Sequence, residues 1–93
     1  MPALTIRLAE PIAGRGAVLA CAGPDVAASD DATLAELRGA QVTIRRRDGA
    51  TRITRVDDVE IKRSPSGRRV MVLVADGERD DAGATLEWPA GVG

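Results

Sequence analysis

The sequence predicts an all-β domain of about six or seven short strands, arranged as a barrel or a sandwich. Three observations lead there. Turn signals built on Gly, Pro, Asp and Ser recur roughly every 8–12 residues along the chain. Between them lie segments in which apolar and polar residues alternate with period two, the mark of a half-buried strand. The apolar residues are aliphatic, with nine Val, seven Leu and five Ile; Phe, Tyr and His are absent and Trp88 is the one aromatic. Such a composition favours strands over helices. A 93-residue chain buries roughly 60–65% of its unfolded surface, enough for one core but not two. Residues 1–93 are therefore expected to form a single domain, with an ordered core at about residues 3–89.

The elements follow in order. Leu4, Ile6 and Leu8 alternate with Thr5, Arg7 and Ala9 in a first strand. Pro11 is expected to end it, because proline brings no donor to a ladder. Gly14-Arg15-Gly16 marks a tight turn, and the small apolar run at residues 17–22 a second strand. Gly23-Pro24 breaks that strand, and residues 25–31, small and polar, are expected to form a mobile loop. Ser29 or Asp30 is placed to cap one short helical turn through Leu34 and Leu37, closed by Gly39. An extended segment at residues 33–37 is the competing reading. Val42 and Ile44 alternate in the next strand, and Asp48-Gly49 is suited to the positive φ angles of a two-residue hairpin turn. The returning strand starts near Thr51. Its inward phase slips between Ile53 and Val56 and resumes at Val59 and Ile61, which predicts a bulge or bend near residues 55–58. Ser64-Pro65-Ser66-Gly67 is a further turn. Residues 70–75 are apolar on both faces and should form the most buried strand. Asp76-Gly77 turns the chain, residues 78–83 make an acidic loop, and residues 85–88 form a last strand with Leu86 and Trp88 on one face. Pro89 ends it, and residues 90–93 are expected to fray.

The lone Cys21 excludes an internal disulfide; between Ala20 and Ala22 it reads as a core residue rather than a reactive thiol. This fits a reducing compartment. No basic segment followed by an apolar one opens the chain, and no apolar run approaches the roughly 18 residues of a membrane span. A cytoplasmic protein with no membrane role is expected.

Catalysis is not expected. Without histidine the commonest general base is missing. Ser29, Ser64 and Ser66 fall in turns with no base beside them. Asp57 and Asp58, as neighbours on a strand, point to opposite faces. Asp30-Asp31 and Asp80-Asp81 fall in loops, lack the spacing of a calcium loop and read as solvated acids. The phosphate-binding pattern Gly-x-x-x-x-Gly-Lys-Ser/Thr is absent. No cofactor and no metal are expected.

The charge distribution carries more. Net charge is −1, yet residues 38–69 hold ten basic and four acidic residues, and the remainder three basic and ten acidic. The middle of the chain is basic and both flanks are acidic. Arg45 and Arg47 alternate along one strand, Arg52 lies across the hairpin, and Arg68 and Arg69 follow the next turn, beyond Lys62 and Arg63. Arg45, Arg47, Arg52, Arg68 and Arg69 form a candidate basic binding face. With no exposed aromatic to stack on bases, contact with RNA would be to the backbone and strongly salt-dependent. The competing reading is a charged solvent face balanced by the acidic flanks, in the same copy, in a second copy or in a partner.

Four stretches carry a family resemblance: Gly14-Arg15-Gly16-Ala17-Val18-Leu19; Gly39-Ala40-Gln41-Val42-Thr43-Ile44; Thr51-Arg52-Ile53-Thr54-Arg55-Val56-Asp57; and Gly67-Arg68-Arg69-Val70-Met71-Val72-Leu73, followed by Gly83-Ala84-Thr85-Leu86. In order and spacing this resembles the second domain of elongation factor Tu and its relatives among translational GTPases. The resemblance implies a closed, Greek-key-like antiparallel barrel, here a divergent stand-alone one. In that family the domain helps hold the aminoacylated end of tRNA with acidic and aromatic residues. Asp57 keeps one acid, but Val59 stands near the missing aromatic. Arg68 replaces the second acid, Arg69 an asparagine and Met71 a glycine, and residues 23–37 are longer than the family's turn. The resemblance therefore implies the scaffold without the aminoacyl pocket. The expected function is a non-enzymatic binding module that contacts RNA or a translation-related partner through the basic face. The alternative is a structural or protein-interaction subunit, in a homo- or hetero-oligomer, with no nucleic-acid role.

Overall fold

Period-two alternation places strands β1 (Ala3–Ile12), β2 (Gly16–Ala22), β3 (Gln41–Arg45), β4 (Thr51–Ser64), β5 (Gly67–Val74) and β6 (Thr85–Glu87) in a computed structural model that describes residues 2–89. The fraying expected of residues 90–93 lies outside the described residues. The strands close into a barrel in the order β1-β2-β5-β4-β3-β6, every neighbouring pair antiparallel. β3, β4 and β5 follow one another as hairpins and β6 returns beside β3, which is the Greek-key order. β6 completes the ring, pairing Leu86 with Leu4 on one side and with Ile44 on the other. No helix among the described residues is long and apolar enough to cross a membrane.

Two strands change partner midway, and each does so at a bulge. β4 pairs with β3 through residues 51–55 and with β5 through residues 56–64, and its register shifts between Val56 and Asp58. A bend near residues 55–58 was expected, but only half of the phase slip behind it is present: Ile53 is 62% exposed and Thr54 points inward with Val56, so the inward phase changes once, between Val56 and Val59. β1 pairs with β6 through residues 3–5 and with β2 beyond, and shifts between Ile6 and Leu8. The second bulge corrects the reading of the first strand. The extra residue, Arg7, reverses the inward phase, so Ala9 is buried and Leu8 is 68% exposed. Pro11 does not end β1 either. It pairs with Ala17, and this half of β1 has no strand on its other edge, where proline is tolerated.

The β3–β4 turn also differs from expectation. Gly49 donates its N–H to the Arg46 carbonyl at 3.0 Å and Arg46 donates to the Ala50 carbonyl at 2.8 Å. Only Gly49 takes positive φ, at 92°, and Asp48 does not. The connection is a longer turn closed by a left-handed glycine, which leaves Arg47 and Asp48 exposed at its tip.

Residues 25–31 are not a mobile loop. They contribute to two short helices, α1 (Pro24–Ala28) and α2 (Asp31–Ala35). The Asp25 carboxylate anchors α1 to β1, accepting from the Thr5 N–H at 2.6 Å, the Thr5 hydroxyl at 2.8 Å and the Val26 N–H at 2.8 Å. Asp30 caps α2, accepting from the Thr33 N–H at 2.7 Å. Val26, Leu34 and Leu37 are fully buried. The helical turn expected through Leu34 is present, with a second one before it.

The core joins these three to the inward rows of the barrel, with Trp88, Leu4, Ile6, Leu19, Ile44 and Leu86 as its largest members. β5 is buried on one face only. Val70, Val72 and Val74 point inward, whereas Met71 and Leu73 are half-exposed outside. Cys21 is fully buried, and burial first, then the nearby Asp25 charge, pushes its thiol up to about 12. Only the thiolate reacts. Native protein is expected to leave an aromatic disulfide reagent unconsumed over an hour and to consume one equivalent once unfolded in urea. Stoichiometric reaction in plain buffer would contradict the burial.

Candidate functional site

The five arginines expected to share a face do not converge. On β3, the Arg45 guanidinium lies 3.2 Å from the Glu87 carboxylate of β6. Arg52 turns toward a single 3-10 turn at Arg79–Asp81 and grips Asp81 with both terminal nitrogens, Nη1 at 3.2 Å from Oδ1 and Nη2 on Oδ2. Arg68 points to the helices. Its Nη1 donates to Asp31 at 2.6 Å, and its Nη2 to the Val26 carbonyl at 2.9 Å and to that of Ser29. It thereby satisfies carbonyls at the C-terminal end of α1, where a cation is favoured. Arg47, at the tip of the β3–β4 turn against Gly83, and Arg69, on the outer wall of β5, make no ion pair among the described residues.

Asp81 is not a solvated loop acid. It is fully buried and accepts from Arg52, from Arg46 Nε at 3.4 Å and from the Glu78 N–H at 2.8 Å. Burial pushes its carboxyl up, but the hydrogen bonds from Arg52 and Glu78 and the arginine charges outweigh that and hold it below its ordinary value of 3.8. Arg46 also pairs with Glu78, and Arg52 lies 3.6 Å from Asp76. This cluster ties the 78–83 segment to the β3–β4 hairpin. It is a fastening rather than a vacancy for a ligand.

A different surface stands out on the outer wall of β1, β2, β5 and β4. Register sets two rows across it. One runs Leu8, Ala20, Met71, Glu60 and the other Glu10, Val18, Leu73, Asp58. Ile12, 38% exposed, continues the wall at the β1–β2 turn. A groove of about 410 Å³ runs over Val18, Met71 and Leu73, with Arg15 and Lys62 at its margin. Each acid of the rim is already engaged: Glu10 with Arg79 at 3.6 Å, Asp58 with Arg38 at 3.0 Å and Glu60 with Lys62 at 3.3 Å. The Asp58 carboxyl is held below its ordinary value by the Val59 N–H and by Arg38. Arg15 and Arg69, in contrast, have no carboxylate partner among the described residues.

This wall was hidden from sequence reasoning by the bulge at Arg7, which alone turns Leu8 outward. One signal was available. A barrel strand has only one inward face, so a run apolar on both faces must present Met71 and Leu73 to the outside. Comparison with protein-family models, with curated proteins and with solved structures gave no match.

Proposed function

We propose that the chain is a non-enzymatic binding module that meets a protein partner on the outer wall of β1, β2, β5 and β4. The observation that carries this reading is the contiguity of Leu8, Ile12, Val18, Met71 and Leu73 on the three adjacent strands β1, β2 and β5. Single exposed apolar side chains are ordinary, but a patch spanning several strands marks a surface whose burial releases ordered water. An RNA contact through Arg45, Arg47, Arg52, Arg68 and Arg69 is less favoured. Arg45, Arg52 and Arg68 already hold carboxylates, which a phosphate would have to displace. The resemblance to the second domain of elongation factor Tu makes a translation-related protein the first partner to try, and fold analogy adds no more than that. A cytoplasmic setting belongs to the same proposal and is supported by the lone buried Cys21.

A photo-crosslinking residue placed at Leu73, and in parallel at the exposed Gln41 of β3, tests the reading in native lysate. Nuclease-resistant adducts from position 73 and none from position 41 are the expected result. Nuclease-sensitive adducts, or equal adducts from both positions, would overturn it.

A further inference from the structure

We infer that the wall receives an amphipathic helix of about three to four turns carrying an acidic residue near each end; this rests on the protein-docking reading above. β2 and β5 are paired on both edges within the ring, so they offer no free backbone groups to an added strand. The outer edges of the wall, on β1 and β4, are interrupted. Pro11 lacks a donor on the free edge of β1, and Arg38 occupies the Val59 carbonyl of β4 at 2.9 Å. Recognition on the face of β2 and β5 is therefore by side chains, and a helix laid in a groove is the mode that works this way.

Length and charge follow from the register. Arg69, Met71 and Leu73 share one face of β5, and Arg15 sits in the turn just beyond the level at which Ala17 meets Val74. From Arg69 to that turn is about six strand steps of roughly 3.3 Å, or about 20 Å. A helix rising about 1.5 Å per residue covers this in about 13 residues. Its apolar side chains, at the helical spacing i, i+3, i+4 and i+7, would lie over Met71, Leu73 and Val18. Two guanidiniums without carboxylates flank this apolar face, Arg15 at the margin of the groove and Arg69 beyond it, two residues along the outer face of β5 from Met71, while each rim acid is paired. The uncompensated charge is thus positive on both flanks, which selects carboxylates on the partner and disfavours lysines.

The test uses the whole chain and three fluorescein-labelled 14-residue synthetic helices. They share one leucine face and differ only in carrying Glu, Gln or Lys near both ends. The expected result in anisotropy titrations is that the Glu peptide binds about tenfold more tightly than the Gln peptide, a size in keeping with two exposed ion pairs, and that the Lys peptide binds weakest. The double variant Arg15→Glu with Arg69→Glu should remove or invert that order. Leu73→Asp should abolish binding of all three, with Met71→Glu in its place if the first variant fails to fold by circular dichroism. Equal binding of the three peptides, lost in Leu73→Asp, would overturn the acidic helix and leave protein docking on the wall standing. No binding by any peptide would overturn the helix as occupant, and the crosslink from position 73 would then decide the broader reading. Binding unaffected by either wall variant would overturn both. So would a labelled single-stranded RNA that binds the wild type more tightly than every peptide and is lost in Leu73→Asp.

Discussion

Asp81→Ala is expected to destabilise the barrel by about 3–5 kcal/mol, the usual cost of removing one member of a buried ion pair. A domain of this kind has roughly 5–15 kcal/mol in total, so the variant should sit close to its unfolding threshold. The size of the effect follows from what Asp81 leaves behind. Arg46 and Arg52 are each about three-quarters covered, and Arg52 Nε is buried with no hydrogen-bond partner. Without the carboxylate, two largely covered guanidiniums face each other across the β3–β4 hairpin with only the exposed Glu78 and Asp76 to offset them. The 78–83 segment also loses its anchor, because the Glu78 N–H loses its acceptor. Asp81→Asn should cost less but remain clearly destabilising, since an amide preserves shape and one acceptor but not the charge. Urea unfolding followed by the fluorescence of Trp88, the one aromatic and a core residue, measures both. A change below about 1 kcal/mol for Asp81→Ala would show that the cluster is not a fastening.

The same carboxylate gives the pH dependence its sign. Asp81 is held below its ordinary 3.8 in the folded protein. The unfolded chain therefore takes up the proton first as pH falls. The contribution is complete above the ordinary carboxylate range and is lost as pH drops below about 4 toward the lowered value. The Asp81→Ala variant should accordingly lose less of its remaining stability to acid than the parent does.

Gly16→Ala is expected to cost about 3 kcal/mol or more, while Gly14→Ala should cost only about 1 kcal/mol. Both glycines have positive φ, 86° and 74°, a conformation that costs other residues roughly 1–2 kcal/mol. They differ in their surroundings. A Cβ on Gly16 would fall on the Val74 carbonyl oxygen and lie 2.9 Å from that of Ala75, whereas one on Gly14 would meet nothing within 4 Å. The obstacle at Gly16 is main chain and cannot rotate away, so β5 must shift and the pairing of Ala17 with Val74 must loosen. The pair of variants separates conformational strain from steric contact. Urea midpoints for both, with far-ultraviolet circular dichroism, are the measurement. Equal costs at the two positions would remove the close approach of β2 to β5 as the cause.

Much of this architecture was legible because a strand announces itself by phase. Leu4 and Ile6, Val42 and Ile44, and Leu86 and Trp88 all keep period two, and all reach the core. The bulge near Asp57 was visible because the apolar phase slips in the sequence itself. The bulge at Arg7 was not, because Leu8 and Ala9 are both apolar and either can be read as the inward residue. The helix over residues 31–35 announced its cap, Asp30, and its buried Leu34. Its predecessor is held by Asp25 reaching Thr5, a contact between distant residues that leaves no local pattern. Arginine partners were illegible for the same reason. The sequence names the cations, but only closure of the barrel decides that Arg52 meets Asp81 and Arg68 meets Asp31, while Arg15, Arg47 and Arg69 meet no carboxylate among the described residues.

The closing strand has a consequence in time. β6 is three residues long, yet it alone joins β1 to β3, and its partners come from the opposite end and the middle of the chain. Contacts so distant in sequence repay their loop-closure entropy late, which places folding of such barrels on the order of milliseconds to seconds. Until Leu86 and Trp88 dock, the facing edges of β1 and β3 stay unpaired and can recruit any extended chain nearby. A chain in which β6 has not docked therefore carries two such open edges, and the speed of docking decides how long they are exposed.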